Sequence, residues 1–232
     1  MNNNLDYIKK NIEILNKKIE TAAKKSGRNE KEIKIIAVTK TVEKERIDIA
    51  IQAGLTNLGE GKVQELCKKY DNTNSSCNWH LIGHLQKNKV KYIFDKISMI
   101  HSIDNFEIAN EIQKYAQKID KKIEILLQVN ISEELTKYGI LSKDALNLLF
   151  EISNLKNLSV RGLMTIAPFT QEVEKVRQVF KTLRELSIDI KKENINNITM
   201  DFLSMGMSND YETAIEEGAN IIRIGTAIFG QR

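Results

Sequence analysis

Short runs rich in Ile, Val and Leu alternate along this sequence with stretches of helical spacing, and the alternation leaves few folds open. The runs are Ile33–Lys40, Thr56–Leu58, Trp79–Gly83, Ile97–Ile103, Ile123–Asn130, Ser159–Met164, Met200–Ser204 and Asn220–Gly225. Each is too short for a buried helix, and near-continuous apolar character suits a parallel strand covered on both faces. Between them the spacing predicts helices over Val42–Ala53, Lys62–Tyr70, Lys87–Phe94, Asn105–Ala116, Ser142–Ser153, Gln171–Leu186 and Asn209–Glu217. Ser142 and Thr170 are expected N-caps, and Gly54 and Gly218 expected stops. A further helix precedes the first strand: Leu5, Ile8, Ile12, Leu15, Ile19 and Ala22 share one face, and it ends near Ser26 and Gly27. Eight β/α units within 232 residues fit a (β/α)8 barrel, the TIM-barrel architecture, better than a doubly wound open sheet. A single proline, Pro168, and no Gly/Ser-rich linker suggest one domain over residues 1–232, with residues 1–27 as a helix packed on the barrel.

Composition narrows the function classes. Thirty-five Lys and Arg against thirty-one Asp and Glu give a net charge of +4, and the lysines are interleaved with acids. A solvated surface is expected, with no nucleic-acid partner. No uncharged run approaches the roughly 18 apolar residues of a membrane span, and the polar Met1–Asn4 start is unlike a signal peptide, so a cytoplasmic protein is expected. Cys67 and Cys77 form no CxxC pair and read as reduced thiols, without a disulfide or a zinc site.

In such a barrel the functional site lies at the C-terminal ends of the strands. Lys40 closes the first run and shares parity with Ile36 and Val38. If its stem is held in apolar surroundings there, the neutral amine is favoured, and a neutral amine attacks aldehydes to give a Schiff base. The segments Ser204–Ser208 and Arg223–Thr226 follow the seventh and eighth runs, where barrels often bind phosphate. Gly206 and Gly225 there allow close approach of backbone N–H groups, or are ordinary turn glycines. Arg223 has the parity of Gly225 and is expected to point into the barrel, either paired with a carboxylate such as Glu60 or Asp201 or donating to a ligand. His80 and His84 have equal parity but no evident third ligand, so packed or hydrogen-bonded histidines are expected and no metal. His101 reads as a core or rim residue, and Met99, Met164, Met200 and Met205 as core fillers.

The segments Ala37–Lys40 (AVTK), Gly59–Glu65 (GEGKVQE), Trp79–Lys89 (WHLIGHLQKNK), Ile100–Asp104 (IHSID), Gln128–Ile140 (QVNISEELTKYGI), Arg161–Pro168 (RGLMTIAP), Leu203–Asp210 (LSMGMSND) and Arg223–Gly230 (RIGTAIFG) together resemble the pyridoxal-phosphate homeostasis family, the YggS/PROSC proteins. They keep the family's order and span essentially the whole chain. The resemblance implies a barrel like the N-terminal domain of alanine racemase, a fold type III protein holding pyridoxal 5'-phosphate (PLP). It implies that Lys40 forms the covalent Schiff base, that Ser208, Gly225 and Thr226 bind the phosphate with the Met207 backbone beside them, and that Arg223 faces the pyridine nitrogen. A guanidinium only donates, so it leaves that nitrogen unprotonated and weakens the ring as an electron sink.

The resemblance further implies a PLP-binding protein that takes part in intracellular PLP homeostasis, buffering the cofactor or delivering it to apo-enzymes, with no catalytic residues. A racemase of the related fold takes its second acid/base from a further domain, and no such domain is expected in a sequence that stops at Arg232 after the eighth run. A racemase-like PLP enzyme is the alternative and would need a second base, for which Lys137 is the candidate. A barrel aldolase using Lys40 is a more remote alternative. A monomer is expected. One departure stands out: the family commonly has asparagine where this chain has Gly61, which removes a hydrogen bond near the cofactor ring.

Overall fold

A computed structural model describes residues 6–73 and 76–231; the Met1–Asn4 stretch, Leu5 and Arg232 lie outside the described residues. Eight parallel strands close into a barrel in sequence order, β8 returning to β1. They are β1 (Lys34–Val38), β2 (Asn57–Glu60), β3 (Asn78–Leu81), β4 (Met99–Ile103), β5 (Ile123–Gln128), β6 (Leu158–Met164), β7 (Ile198–Ser204) and β8 (Ile221–Ile224). Each of the eight runs expected to be a strand overlaps one, with ends that differ by up to two residues. Their continuous apolar character has a simple cause, since both faces are covered. Ile36, Met99, Leu126, Met164 and Ile221 fill the barrel, with Ile82, Ile166 and Phe202 packed against them. Ala37, Leu58, Leu81, Ile100 and Leu163 point the other way, into the larger core under the helices.

Two glycines make closure possible. A Cβ on Gly59 would lie 2.5 Å from Ile36 Cγ2, inside the barrel. Gly162 has φ of +153°, and a Cβ there would lie 1.9 Å from Phe202 O. The β6–β7 register shifts between Val160 and Gly162, so the glycine serves a bulge where strands approach closely.

The helices are α1 (Asp6–Lys25), α2 (Lys44–Gln52), α3 (Val63–Tyr70), α4 (Phe106–Lys118), α5 (Ser142–Ile152), α6 (Val173–Lys192), α7 (Tyr211–Glu216) and α8 (Thr226–Phe229). Helix α1 buries Ile8, Ile12, Leu15 and Ile19, worth roughly 1.5–3 kcal/mol each relative to exposure, against α7, α8 and α2. Tyr7 Oη donates to Phe229 O at 3.2 Å and Asn11 Nδ2 to Ile228 O at 3.0 Å, which ties α1 to the element that follows β8.

Several expected boundaries move. Lys87–Phe94 is not an α-helix but a 3-10 helix over Lys87–Tyr92; Val90 is its only buried residue, so it has no stripe to hold two α-turns. Helix α6 runs on to Lys192 because Ser187 and Ile190 continue its buried face. Helix α8 has no counterpart among the expected helices. Leu141 and Glu172 occupy the cap positions assigned to Ser142 and Thr170, although Thr170 Oγ1 accepts from Glu172 N at 3.1 Å. Strand β1 stops at Val38, which leaves Thr39 and Lys40 in the turn beyond it.

Candidate functional site

The barrel interior carries a line of polar side chains beneath its C-terminal mouth. Arg223 lies opposite Ile36 in the β1–β8 register and is buried. Its Nη1 donates to Ser204 Oγ and its Nη2 to Thr165 O, both at 2.8 Å. Ser204 Oγ lies 2.9 Å from His101 Nδ1, and His101 Nε2 lies 3.0 Å from His80 Nδ1. Four side chains from β3, β4, β7 and β8 thus form one hydrogen-bonded chain across the barrel. His80 faces Gly59 and Met99 in the register, His101 has the parity of Met99, and Ser204 that of Phe202. That shared parity was the available sequence signal for the chain.

Arg223 points inward as its parity predicted, but it pairs with neither expected carboxylate. Gly59 faces into the barrel, so Glu60 faces out and bonds Lys69 at 2.6 Å. Asp201 likewise flanks an inward residue, Phe202, and binds Arg161 at 2.9 Å outside. Burial pushes the Arg223 guanidinium down to about 10, with Asp210 pulling it back up, so it remains a cation at neutral pH. Burial also takes His80 down to about 3, helped by Lys34, and holds His101 well below the usual imidazole range, with His80 and Arg223 adding to the effect. Both imidazoles are therefore neutral neighbours that add no charge to that of Arg223. His84 stands apart and stacks on Tyr138 with ring centroids 4.0 Å apart. Among the described residues no three His, Cys, Asp or Glu side chains group as metal ligands.

Above this chain, two strand ends meet. The N–H groups of Gly225 and Ala227 both donate to Ser208 Oγ, at 3.3 and 3.2 Å. Two backbone donors and a hydroxyl therefore converge on one point at the mouth. Thr226, between the donors, is exposed. The Met207 N–H is already committed, donating to Asp210 Oδ1 at 2.5 Å. Burial raises the Asp210 carboxyl, opposed by that bond and by Arg223. Because Ala37 pairs with Ile224, the turn carrying Lys40 lies beside Gly225 and Thr226. Lys40 itself is exposed. The apolar surroundings expected of a strand-end lysine are not what holds it, since the strand stops two residues earlier and the chain turns.

The remaining candidates sit around the rim. Lys137 Nζ binds Glu134 Oε1 at 2.7 Å and lines a cavity of about 150 Å³ with Gln128, Asn130, Tyr138 and Ile166. A Cβ at Gly61 would meet no atom within 4 Å, and Gly61 lines a cavity of about 550 Å³ with His84, Gln86 and Lys89.

Residues 4–232 match the family model for the alanine racemase N-terminal domain. The chain is 44% identical over 217 residues to the pyridoxal phosphate homeostasis protein of Aquifex aeolicus, covering 93% of this chain and 94% of that one. The chain belongs to the pyridoxal phosphate homeostasis protein family. A solved structure similar to this family member is PipY of Synechococcus elongatus with PLP bound: 31% identity, TM-score 0.80, covering 86% of this chain and 93% of that chain. Alanine racemase of Corynebacterium glutamicum shares the fold at TM-score 0.68 and 15% identity, over 98% of this chain and 62% of that chain. The (β/α)8 barrel of this family member is thus the alanine racemase N-domain type, with an N-terminal helix added.

Proposed function

We propose that this protein binds PLP covalently through Lys40 and serves in its intracellular homeostasis, buffering the cofactor and handing it to apo-enzymes. The observation that carries this reading is the convergence of Gly225 N–H, Ala227 N–H and Ser208 Oγ on one point beside the Lys40 turn. Backbone donors and a hydroxyl suit phosphate oxygens. An exposed amine on the same rim suits an aldehyde. The residues present therefore fit the group: Ser208, Gly225 and Thr226 would hold its phosphate, and Arg223 would serve its pyridine nitrogen.

PLP supplies an aldehyde that condenses with amines and a ring that accepts electrons. Lys40 would hold the group covalently, its amine supplying the nucleophile for condensation with the aldehyde, with water as the leaving product. Arg223 only donates and stays cationic, so facing the ring nitrogen it would leave that nitrogen unprotonated and disfavour carbanion chemistry. A racemase-like enzyme would also need a second acid/base at the mouth, and Lys137, the candidate, is held by Glu134. These features support a carrier without dedicated turnover, which we take to be a cytoplasmic monomer whose residues 1–232 are one PLP-binding domain.

Titrating PLP into the purified protein should produce visible absorbance, and borohydride reduction followed by peptide mapping should place the cofactor on Lys40. Retention of that absorbance by Lys40→Ala overturns the reading. Sustained racemisation or transamination of amino acids at saturating PLP overturns the carrier assignment.

A further inference from the structure

Both peptide units flanking Lys40 are held by side chains that have no part in the phosphate cradle or the buried polar chain. Lys69 Nζ, reaching across from α3, donates to Thr39 O at 2.5 Å and to Glu60 Oε1 at 2.6 Å. Thr39 Oγ1 donates to the same Glu60 oxygen at 2.6 Å. On the far side of Lys40, Thr41 N–H donates to Glu65 Oε2 at 3.1 Å, and that oxygen lies 3.6 Å from Lys69 Nζ. Glu60, Glu65 and Lys69 thus grip the residue before and the residue after Lys40.

Two features argue that this is more than a brace between barrel and helix. Thr41 has φ of +59°, a left-handed conformation that β-branched residues avoid at a cost of about 1–3 kcal/mol. Such a conformation persists only where the surroundings over-determine it, and here the anchors are the Glu65 carboxylate and the Lys69 bond to Thr39 O. The second feature is Glu60. It is fully buried, and its Oε2 has no hydrogen-bond partner. A buried carboxylate with one oxygen unpaired is a poor source of stability, and apolar residues of similar volume would often serve the fold as well. What the ion pair does supply is direction: it fixes the Thr39 carbonyl, and so the path of the chain into Lys40.

We propose that Glu60, Lys69 and Glu65 are positioning residues that hold the Lys40 turn in its strained conformation and so aim the amine over the barrel mouth, beside the point where the Gly225 and Ala227 N–H groups converge, where the aldehyde of a phosphate-anchored ligand would lie. This rests on the reading of Lys40 as the PLP-binding residue. A clamp of this kind acts on the covalent step and leaves the phosphate contacts, which come from the turns after β7 and β8, as they are. Pre-orientation of a reacting group is worth large factors in rate, and a misplacement of about 1 Å costs on the order of 100-fold.

The test compares PLP with pyridoxamine 5'-phosphate, which shares ring and phosphate but has no aldehyde. In Lys69→Met and Glu65→Ala the rate of covalent PLP attachment, followed by absorbance after rapid mixing, should fall about 10- to 100-fold. Affinity for pyridoxamine 5'-phosphate, measured by calorimetry, should stay within about 2-fold, and Lys69→Arg should recover much of the rate. In cofactor-free Glu65→Ala, amide exchange at Thr41 should accelerate. Attachment rates unchanged in folded variants overturn the proposal. So does a parallel loss of PLP binding, pyridoxamine 5'-phosphate binding and melting temperature, which marks a simple brace. If Lys69→Met does not fold, Glu65→Ala, at a partly exposed position, carries the same comparison alone. Failure of the Lys40 reading is separate, because it shows as absorbance persisting in Lys40→Ala whatever the clamp variants do.

Discussion

Acidification should weaken this fold well before its carboxylates titrate, because two imidazoles are buried in their neutral form. In the unfolded chain His80 takes up a proton near pH 6.5; in the folded barrel burial holds its pKa at about 3. Above about pH 6.5 neither state binds the proton and stability is flat. Between the two values the unfolded state binds it and the folded state does not, so stability falls as pH falls, approaching about 1.4 kcal/mol per pH unit. From about pH 7.5 to about pH 5.5 the loss from His80 alone is about 1.4 kcal/mol. His101 shifts in the same direction and adds to it, whereas the raised Asp210 carboxyl opposes it. Against a typical 5–15 kcal/mol for a folded chain, such a loss is readily seen. Urea unfolding at a series of pH values, extrapolated linearly, measures it, with the slope m expected to hold constant. The double variant His80→Leu/His101→Leu should lose most of the pH dependence whatever its absolute stability. A wild-type stability that is flat over this range, or an equal slope in the double variant, refutes the placement of two neutral histidines in the barrel.

Other perturbations read different parts of the structure. Ser204→Ala removes the acceptor of Arg223 Nη1 and the partner of His101 Nδ1, leaving two buried groups unmet at about 2–5 kcal/mol together. Calorimetry should show Tm lower by roughly 5–20 °C, and a drop under about 2 °C would mean the chain is not the link described. Gly162→Ala must put a Cβ within 1.9 Å of Phe202 O and should cost about 3 kcal/mol or more, read as a lower denaturation midpoint or loss of soluble protein. Gly61→Asn enters open space and should leave stability within about 0.5 kcal/mol while changing PLP affinity or spectrum; an unchanged titration counts against a role for that position.

The eight strands were legible because a run covered on both faces is apolar at successive residues, a local property. The inward aim of Arg223 was legible for a related reason, since strand parity is a period of two and Ile36 and Ile221 mark which parity is inside. What Arg223 binds was not legible. Ser204 and Thr165 reach it from β7 and the end of β6, and the β6–β7 register shifts at a bulge that the lone Gly162 hints at without fixing which side chains it brings together. The two expected carboxylates failed for one reason: each sits next to an inward residue and so faces out.

Lys40 shows the same division. Its place at the end of the first apolar run is written in the order of residue types. Its exposure, and the left-handed Thr41 beside it, depend on Glu60, Glu65 and Lys69, twenty to thirty positions away in the chain. Apolar periodicity is dictated by which surfaces water must leave, and each segment records it locally. The partners of a buried charge and the path of a strained turn are decided by residues that meet only once the barrel has closed.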